Sequence, residues 1–66
     1  MPKTLSELAT MIANRDGISE NEALIAVKEC ATAMEYAFYE GSLDAAEDIL
    51  REELMLEPDY LFLFIN

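Results

Sequence analysis

Histidine is absent from this 66-residue sequence, and cysteine occurs only once, as Cys30. A single cysteine excludes a disulfide within the chain, and a chain without histidine cannot build the usual cysteine–histidine zinc sites. Cys30 falls on an alanine-rich helical face without the cationic neighbour that a reactive thiolate needs. We therefore predict a protein that is not an enzyme, with no catalytic residue, no metal site and no cofactor.

Basic residues are few as well. Four lysines and arginines stand against fourteen aspartates and glutamates, for a net charge of −10. Nucleic-acid binding needs a basic surface, and an anionic membrane repels an acidic chain. We predict no direct contact with either, and a protein partner with a basic surface, which electrostatic steering favours. The alternative is that the acidity only keeps an apolar chain in solution.

Long apolar runs are also missing. The longest, residues 61–65, is far shorter than the roughly 20 residues of a membrane-spanning helix. The N-terminal segment lacks the apolar core of an export signal. Together with the lone cysteine, this predicts a cytoplasmic location, which is the host cytoplasm if a phage encodes the chain.

The sequence does contain clear helix signals. Those for helix starts are, in chain order, Thr4 with Glu7, Ser19 with Glu22, Ser42, and Pro58. The first two pairs predict capping boxes, and Gly17 and Gly41 mark helix ends. The predicted helices span about 5–16, 20–40, 43–55 and 58–65. We predict an all-α fold, a small bundle of three to four helices in a single domain over residues 1–66.

Helical periodicity predicts which faces are buried. The third helix carries one apolar stripe: Leu43, Ala46, Leu50 and Leu54. The second carries a wider arc centred on Leu24, Val27, Ala31, Met34 and Phe38. So wide an arc predicts a core helix packed on two sides. The alternative is a helix that pairs with a second copy across a two-fold axis.

The opposite face of the second helix forms a candidate recognition patch. It combines Ile25, Tyr36 and Tyr39 with Thr32, and its borders carry glutamates: Glu22, Glu29 and Glu40. Tyrosine is enriched at the centre of protein interfaces. We predict that this patch binds the partner. The alternative is that the tyrosines cover the first or fourth helix within the chain.

Carboxylates also line up in rows, as a protein that mimics nucleic acid requires. The second-helix row consists of Glu22, Glu29 and Glu40, and the third-helix row of Asp44, Asp48 and Glu52. Such rows predict a decoy that occupies a nucleic-acid-binding groove. The alternative is an ordinary solvated face.

The chain ends in the apolar run Leu-Phe-Leu-Phe-Ile. Tyr60, Leu61 and Phe64 can share one helical face and close the bundle. Phe62 and Ile65 then point elsewhere. A small domain with 53% apolar residues often gains a partner subunit, so we predict a homodimer with Phe62, Phe64 and Ile65 at its interface. The alternative for this run is a strand paired with another copy.

Two partial resemblances emerge. The segment IANRDGISENEALIAVKE resembles a helix-turn-helix, with Ala13, Gly17, Ile18 and Ser19 at the spacings of that motif. Asp16 and Ala23 depart from its pattern, and the acidic second helix would be repelled from phosphates. The order TLSELA, DGISENEA, AEDILREELMLEPDYL also resembles small acidic helical proteins of prophages and other mobile elements. That resemblance implies a mobile-element setting and no activity.

These features predict a small acidic module for protein–protein interaction, of the type of a phage inhibitor or a nucleic-acid-mimicking decoy. A self-assembling structural protein and a helix-turn-helix regulator are the alternatives.

Overall fold

Side-chain caps set the starts of the α-helices in the computed structural model, which describes residues 1–65. Asn66, the last residue of the predicted domain, lies outside the described residues. The α-helices are, in chain order, α1 (Leu5–Asp16), α2 (Glu20–Tyr39) and α3 (Leu43–Leu54). The hydroxyl oxygens of Thr4, Ser19 and Ser42 each accept a hydrogen bond from the backbone N–H three residues further on, at 3.1, 3.1 and 3.3 Å. These bonds satisfy N–H groups that lack a partner within the helix. The predicted all-α bundle is confirmed, with each α-helix within one residue of its predicted range.

Of the two predicted capping boxes, only the second is complete. At α2, the N–H of Ser19 donates to Glu22 Oε1 at 3.4 Å while the Ser19 hydroxyl caps Glu22. At α1, the Glu7 carboxylate instead accepts from the N–H of Lys3, one residue before the cap, at 2.7 Å. The prediction that Glu7 bonds back to Thr4 was therefore wrong. Glu7 satisfies a donor of the entering chain instead.

Two of the helices end at a left-handed glycine. Gly17 and Gly41 have φ values of 69° and 75°. In both turns the residue after the glycine donates its N–H to a carbonyl five residues back, at 3.1 and 2.9 Å. Glycine adopts this conformation without the clash that a Cβ creates. Both predicted helix ends are confirmed.

The third helix ends differently, at Met55. This residue is left-handed with φ 55°, although it is not a glycine, and its N–H donates to the carbonyl of Arg51 at 2.9 Å. The Met55 side chain points into solvent, whereas the next residue, Leu56, is buried. The turn thus redirects the chain back onto the core.

Helix α2 is the central element and packs on both α1 and α3. Its buried line consists of Ala23, Val27, Cys30, Met34 and Ala37. Leu24 and Phe38, which the sequence placed at the centre of the arc, lie half-buried at the margin of this line. The prediction of a core helix with neighbours on two sides is confirmed. The buried line shares Val27 and Met34 with the predicted arc and is rotated toward Ala23, Cys30 and Ala37.

Helix α3 confirms most of its predicted stripe. Ala46, Leu50 and Leu54 are buried, but Leu43 is 54% exposed. Helical side chains tilt toward the N-terminus of their helix. Leu43 is the first residue of α3, so its side chain projects beyond the helix instead of over a neighbour. The prediction that Leu43 belongs to the buried stripe was wrong.

The C-terminal run forms a 3₁₀ helix, Pro58–Phe64, which packs on α3. Within residues 1–65 the chain forms no strand, so the strand alternative was wrong. Leu61 is buried, and the half-buried side chains Tyr60, Leu63 and Phe64 pack against the core. A 3₁₀ helix has three residues per turn, which places Phe62 and Ile65 together on the other side. Those two side chains are 52% and 51% exposed.

A long-range contact ties this 3₁₀ helix to the first helix. The hydroxyl of Tyr60 lies 3.8 Å from the sulfur of Met11 in α1.

Within the described part of the chain, no helix is long and apolar enough to cross a membrane.

Candidate functional site

The candidate recognition patch lies on the solvent side of α2. Ile25 is 59% exposed, Tyr36 71% and Tyr39 91%. The alternative that these tyrosines cover α1 or the C-terminal helix within the chain was therefore wrong. We call this surface the α2 outer face, and its members are Glu22, Ile25, Glu29, Thr32, Tyr36 and Tyr39.

The outer face is exposed because α2 uses its other side for the core. All six members are exposed, whereas the buried line of α2 faces α1 and α3. The hydroxyl of Thr32 donates to the carbonyl of Lys28 at 3.1 Å, so its hydrogen-bonding proton is already used within the helix. Thr32 is short and lies one turn before Tyr36, and a shallow groove here is lined by Thr32, Glu35, Tyr36 and Tyr39.

The charges around this groove are mainly negative. Glu29, Glu35 and Glu40 are exposed and make no ion pair within residues 1–65, where the ion pairs are Arg15–Asp16 and Arg51–Asp48. Lys28 is the one basic residue of α2. A cation that approaches the tyrosines therefore meets several carboxylates and little repulsion.

The acidic row of α3 is less uniform than its sequence predicted. Asp44, Asp48 and Glu52 are all exposed, but Asp48 accepts a hydrogen bond from the guanidinium of Arg51. This ion pair neutralises the middle of the row. The α3 row consequently presents two separated carboxylates in place of a continuous line of charge.

The predicted oligomer-interface residues are divided by the fold. Phe62 and Ile65 lie together at the surface, next to one another in the 3₁₀ turn. Phe64 is half-buried and packs against the core of its own chain. The pair Phe62 and Ile65 is thus available for contact with another molecule, and Phe64 contributes mainly within the chain.

Cys30 packs in the core, as the sequence predicted. Its side chain is fully buried, and its thiol lies 3.5 Å from the sulfur of Met34. Burial, with a smaller contribution from the negative charge of Glu53, raises the pKa of the Cys30 thiol to about 11. The neutral thiol is therefore the stable form, and the inert interpretation of this residue fits its surroundings.

The raised pKa of Cys30 predicts a loss of stability in alkaline solution. The folded chain holds the thiol proton up to about pH 11, whereas an unfolded chain releases it near the ordinary pKa of 9.0. Deprotonation then favours the unfolded state as the pH rises from about 9 toward 11. Urea denaturation across this range should show a smaller decline in a Cys30→Ala variant than in the parent chain. Equal slopes in the two proteins would contradict the prediction.

The two residues that depart from the helix-turn-helix pattern lie on either side of the turn between α1 and α2. Asp16 is the last residue of α1, and Ala23 lies near the start of α2. Asp16 is exposed and accepts hydrogen bonds from the guanidinium of Arg15 at 2.7 and 3.0 Å. These bonds lower the pKa of the Asp16 carboxyl. Ala23, the second departure, is buried against the neighbouring helices. The acidic side chain at position 16 thus pairs locally at the surface.

Sequence reasoning missed Glu35 as a member of the site. It lies three residues after Thr32 and four before Tyr39, spacings that place side chains on one helical face. The same spacing in the sequence would have identified it. In residues 1–65, no group of three or more histidine, cysteine or acidic side chains is arranged to hold a metal ion.

Comparison with known proteins gives no relative: no family model, no curated protein and no solved structure matches the chain.

Proposed function

We propose that this protein is a small acidic interaction module that binds a basic protein surface through the α2 outer face. The observation that carries the proposal is the exposure of Tyr36, Tyr39 and Ile25 on one face of α2. Large apolar surfaces in monomeric proteins often mark interaction sites. Tyrosine contributes strongly to such contacts because it combines a large apolar ring with a polar hydroxyl.

Charge supports a basic partner. The net charge of −10 attracts a basic protein over a distance, and the glutamates beside the tyrosines provide local carboxylate contacts. The decoy version of the proposal has weaker support because the Arg51–Asp48 ion pair interrupts the α3 row. We therefore favour a protein contact centred on the tyrosines over mimicry of a nucleic-acid backbone.

We extend the proposal to a mobile-element setting, in which the partner is a host or phage protein. Its support is the sequence resemblance to small acidic prophage proteins. The regulator alternative has less support, since α2 would be the recognition helix and exposes Glu20, Glu22, Glu29 and Glu35 against Lys28. Such a surface is repelled by phosphates.

The test of this function is partner capture from a lysate of the cell that encodes the protein. We expect the immobilised chain to retain a basic protein that a Tyr36→Ala/Tyr39→Ala variant does not retain. Loss of two central interface tyrosines weakens binding by about 2 to 4 kcal/mol or more, which lowers capture by a factor of about 30 or more. The matched control, Glu52→Gln/Glu53→Gln on α3, should retain the same protein.

Two results would contradict the proposal. If the tyrosine variant captures the same proteins as the parent, the outer face is not the binding site. If the control loses capture as fully as the tyrosine variant does, the contact is not confined to the outer face.

A self-assembling role is the second candidate function. Its support is the exposed apolar pair Phe62 and Ile65, which lies outside the α2 outer face. Sedimentation at micromolar concentration tests it directly, since a strictly monomeric chain contradicts it.

A further inference from the structure

The outer face of α2 has the spacing of a coiled-coil seam. Its members recur at alternating intervals of three and four residues, in the order Glu22, Ile25, Glu29, Thr32, Tyr36, Tyr39. This is the spacing of a heptad, with Glu22, Glu29 and Tyr36 at position a and Ile25, Thr32 and Tyr39 at position d. Three of these six positions carry glutamate or threonine where a self-pairing coiled coil carries apolar residues. The six residues are all exposed. They extend over about 26 Å of helix, from the rise of about 1.5 Å per residue.

The residues that line the groove on this face have the spacing of a coiled-coil hole. In knobs-into-holes packing, four residues at i, i+3, i+4 and i+7 surround one side chain of the facing helix. The groove residues Thr32, Glu35, Tyr36 and Tyr39 have this spacing. Thr32 has a short side chain and leaves space in the hole. Glu35, Tyr36 and Tyr39 determine which side chain of the partner fits there.

The chemistry of the hole favours arginine. Tyrosine rings attract a cation over their faces, and the Glu35 carboxylate can accept charge-assisted hydrogen bonds. A guanidinium can stack on a ring and donate several hydrogen bonds at once, whereas an ammonium is a compact charge that is more strongly hydrated. An arginine side chain therefore uses both the rings and the carboxylate.

A second copy of the chain is a poor occupant of this face. In a parallel pair, Glu22 and Glu29 would each face their own equivalent. In an antiparallel pair, the two copies together would still bring eight glutamates, from positions 22, 29, 35 and 40, against two copies of Lys28. Carboxylates placed together without enough cations repel one another and resist burial. Charge complementarity points to a basic partner instead.

We propose that the α2 outer face is one half of a heteromeric helix–helix interface, and that its occupant is a basic amphipathic helix of the partner. That helix places an arginine in the hole formed by Thr32, Glu35, Tyr36 and Tyr39, and basic residues opposite Glu22 and Glu29. This inference rests on the proposed function and specifies the chemistry of its partner.

Three synthetic helices of identical composition test the inference. One peptide carries arginine at position a and leucine at position d of each of its heptads, to match a parallel partner. The second peptide carries leucine at position a and arginine at position d, to match an antiparallel partner. The third distributes the same arginines and leucines over all faces. Fluorescence anisotropy in low salt should show that one matched peptide binds at least about tenfold more tightly than the scattered one, because only a matched peptide places both side chains on the seam.

Variants of the protein then locate the contact. Glu35→Gln and Tyr36→Ala should each weaken binding of the matched peptide several-fold, and replacement of its arginines by lysine should also weaken it. The control Glu52→Gln makes the same charge change as Glu35→Gln on the exposed side of α3 and should leave binding within about twofold, as expected of a distant surface charge. Circular dichroism of the free variants checks that they keep the helical content of the parent.

Three outcomes would overturn the inference. Equal binding of all three peptides would show attraction by charge alone, and binding of none would exclude a helical occupant. A dimer in sedimentation that Tyr36→Ala/Tyr39→Ala dissociates would identify the occupant as a second copy. If partner capture from lysate depends on the tyrosines while no peptide binds, the proposed function stands and the proposal of a helical occupant is wrong. If the tyrosine variant also captures the same proteins as the parent, the proposed function and the helical occupant are both wrong.

Discussion

Truncation after Asp59 should destabilise the protein severely and also abolish the homodimer that we propose. The deletion removes buried Leu61 and the half-buried side chains Tyr60, Leu63 and Phe64, which leaves α3 and part of α1 uncovered. Full burial of one large apolar side chain contributes about 1.5–3 kcal/mol, so we expect a loss of at least about 4 kcal/mol. A domain of this size has a total stability of roughly 3–10 kcal/mol. The truncated chain should therefore be largely unfolded in urea denaturation experiments followed by circular dichroism.

A second variant separates the two effects of the truncation. Phe62→Ser/Ile65→Ser changes only the exposed pair, so the core keeps Leu61 and its neighbours. We expect stability to fall by less than about 1 kcal/mol, as for exposed positions away from special features. The homodimer that we propose should dissociate in sedimentation equilibrium. If this variant keeps the oligomeric state of the parent, the interface lies elsewhere, and α2 is the next surface to test. If the truncated chain keeps the stability of the parent, the 3₁₀ helix is not part of the core.

Leu50→Ala should be the most damaging single substitution in α3. Leu50 is fully buried and among the largest such side chains in the protein. Its truncation loses transfer free energy and leaves a cavity, for a cost of about 2–5 kcal/mol. The matched control is Leu43→Ala, the same chemical change at an exposed position of the same helix, which should change stability by about 0.5 kcal/mol or less.

The comparison tests how the α3 stripe divides between core and surface. Midpoints of chemical denaturation, measured for both variants and the parent, give the two differences in the free energy of unfolding. Similar losses for Leu43→Ala and Leu50→Ala would mean that Leu43 is covered in solution, for example by another copy of the chain.

The helix boundaries could be predicted from sequence because they depend on local chemistry. The hydroxyl of Ser19 and the backbone freedom of Gly41 act within a few residues of their positions, and both work as the sequence indicated. Met55 could not be predicted in the same way. Its left-handed conformation is unfavourable for a side chain by itself and is held by the burial of Leu56 and Leu61 beyond it, which is a tertiary effect.

For a related reason, the sequence predicted which residues of the candidate site share a face but not whether that face is exposed. Periodicity placed Ile25, Tyr36 and Tyr39 on one face, since it follows from the geometry of the helix alone. It did not decide whether α1 or the C-terminal helix covers that face, because α2 has apolar residues on most of its circumference. The positions of the neighbouring helices decide it, and they leave the tyrosines exposed. The 3₁₀ geometry of the C-terminal run was likewise beyond periodicity, which does not distinguish short helix types.

The order in which the helices pack also bears on how quickly the chain finds its structure. The extensive contacts join neighbours along the chain: α1 with α2, α2 with α3, and α3 with the 3₁₀ helix. Folds dominated by contacts between nearby residues form in microseconds to milliseconds, because short loops cost little entropy to close. The contact between Tyr60 and Met11 spans 49 residues and is expected to form late. A small helical chain of this kind is therefore expected to fold within milliseconds once its helices are available.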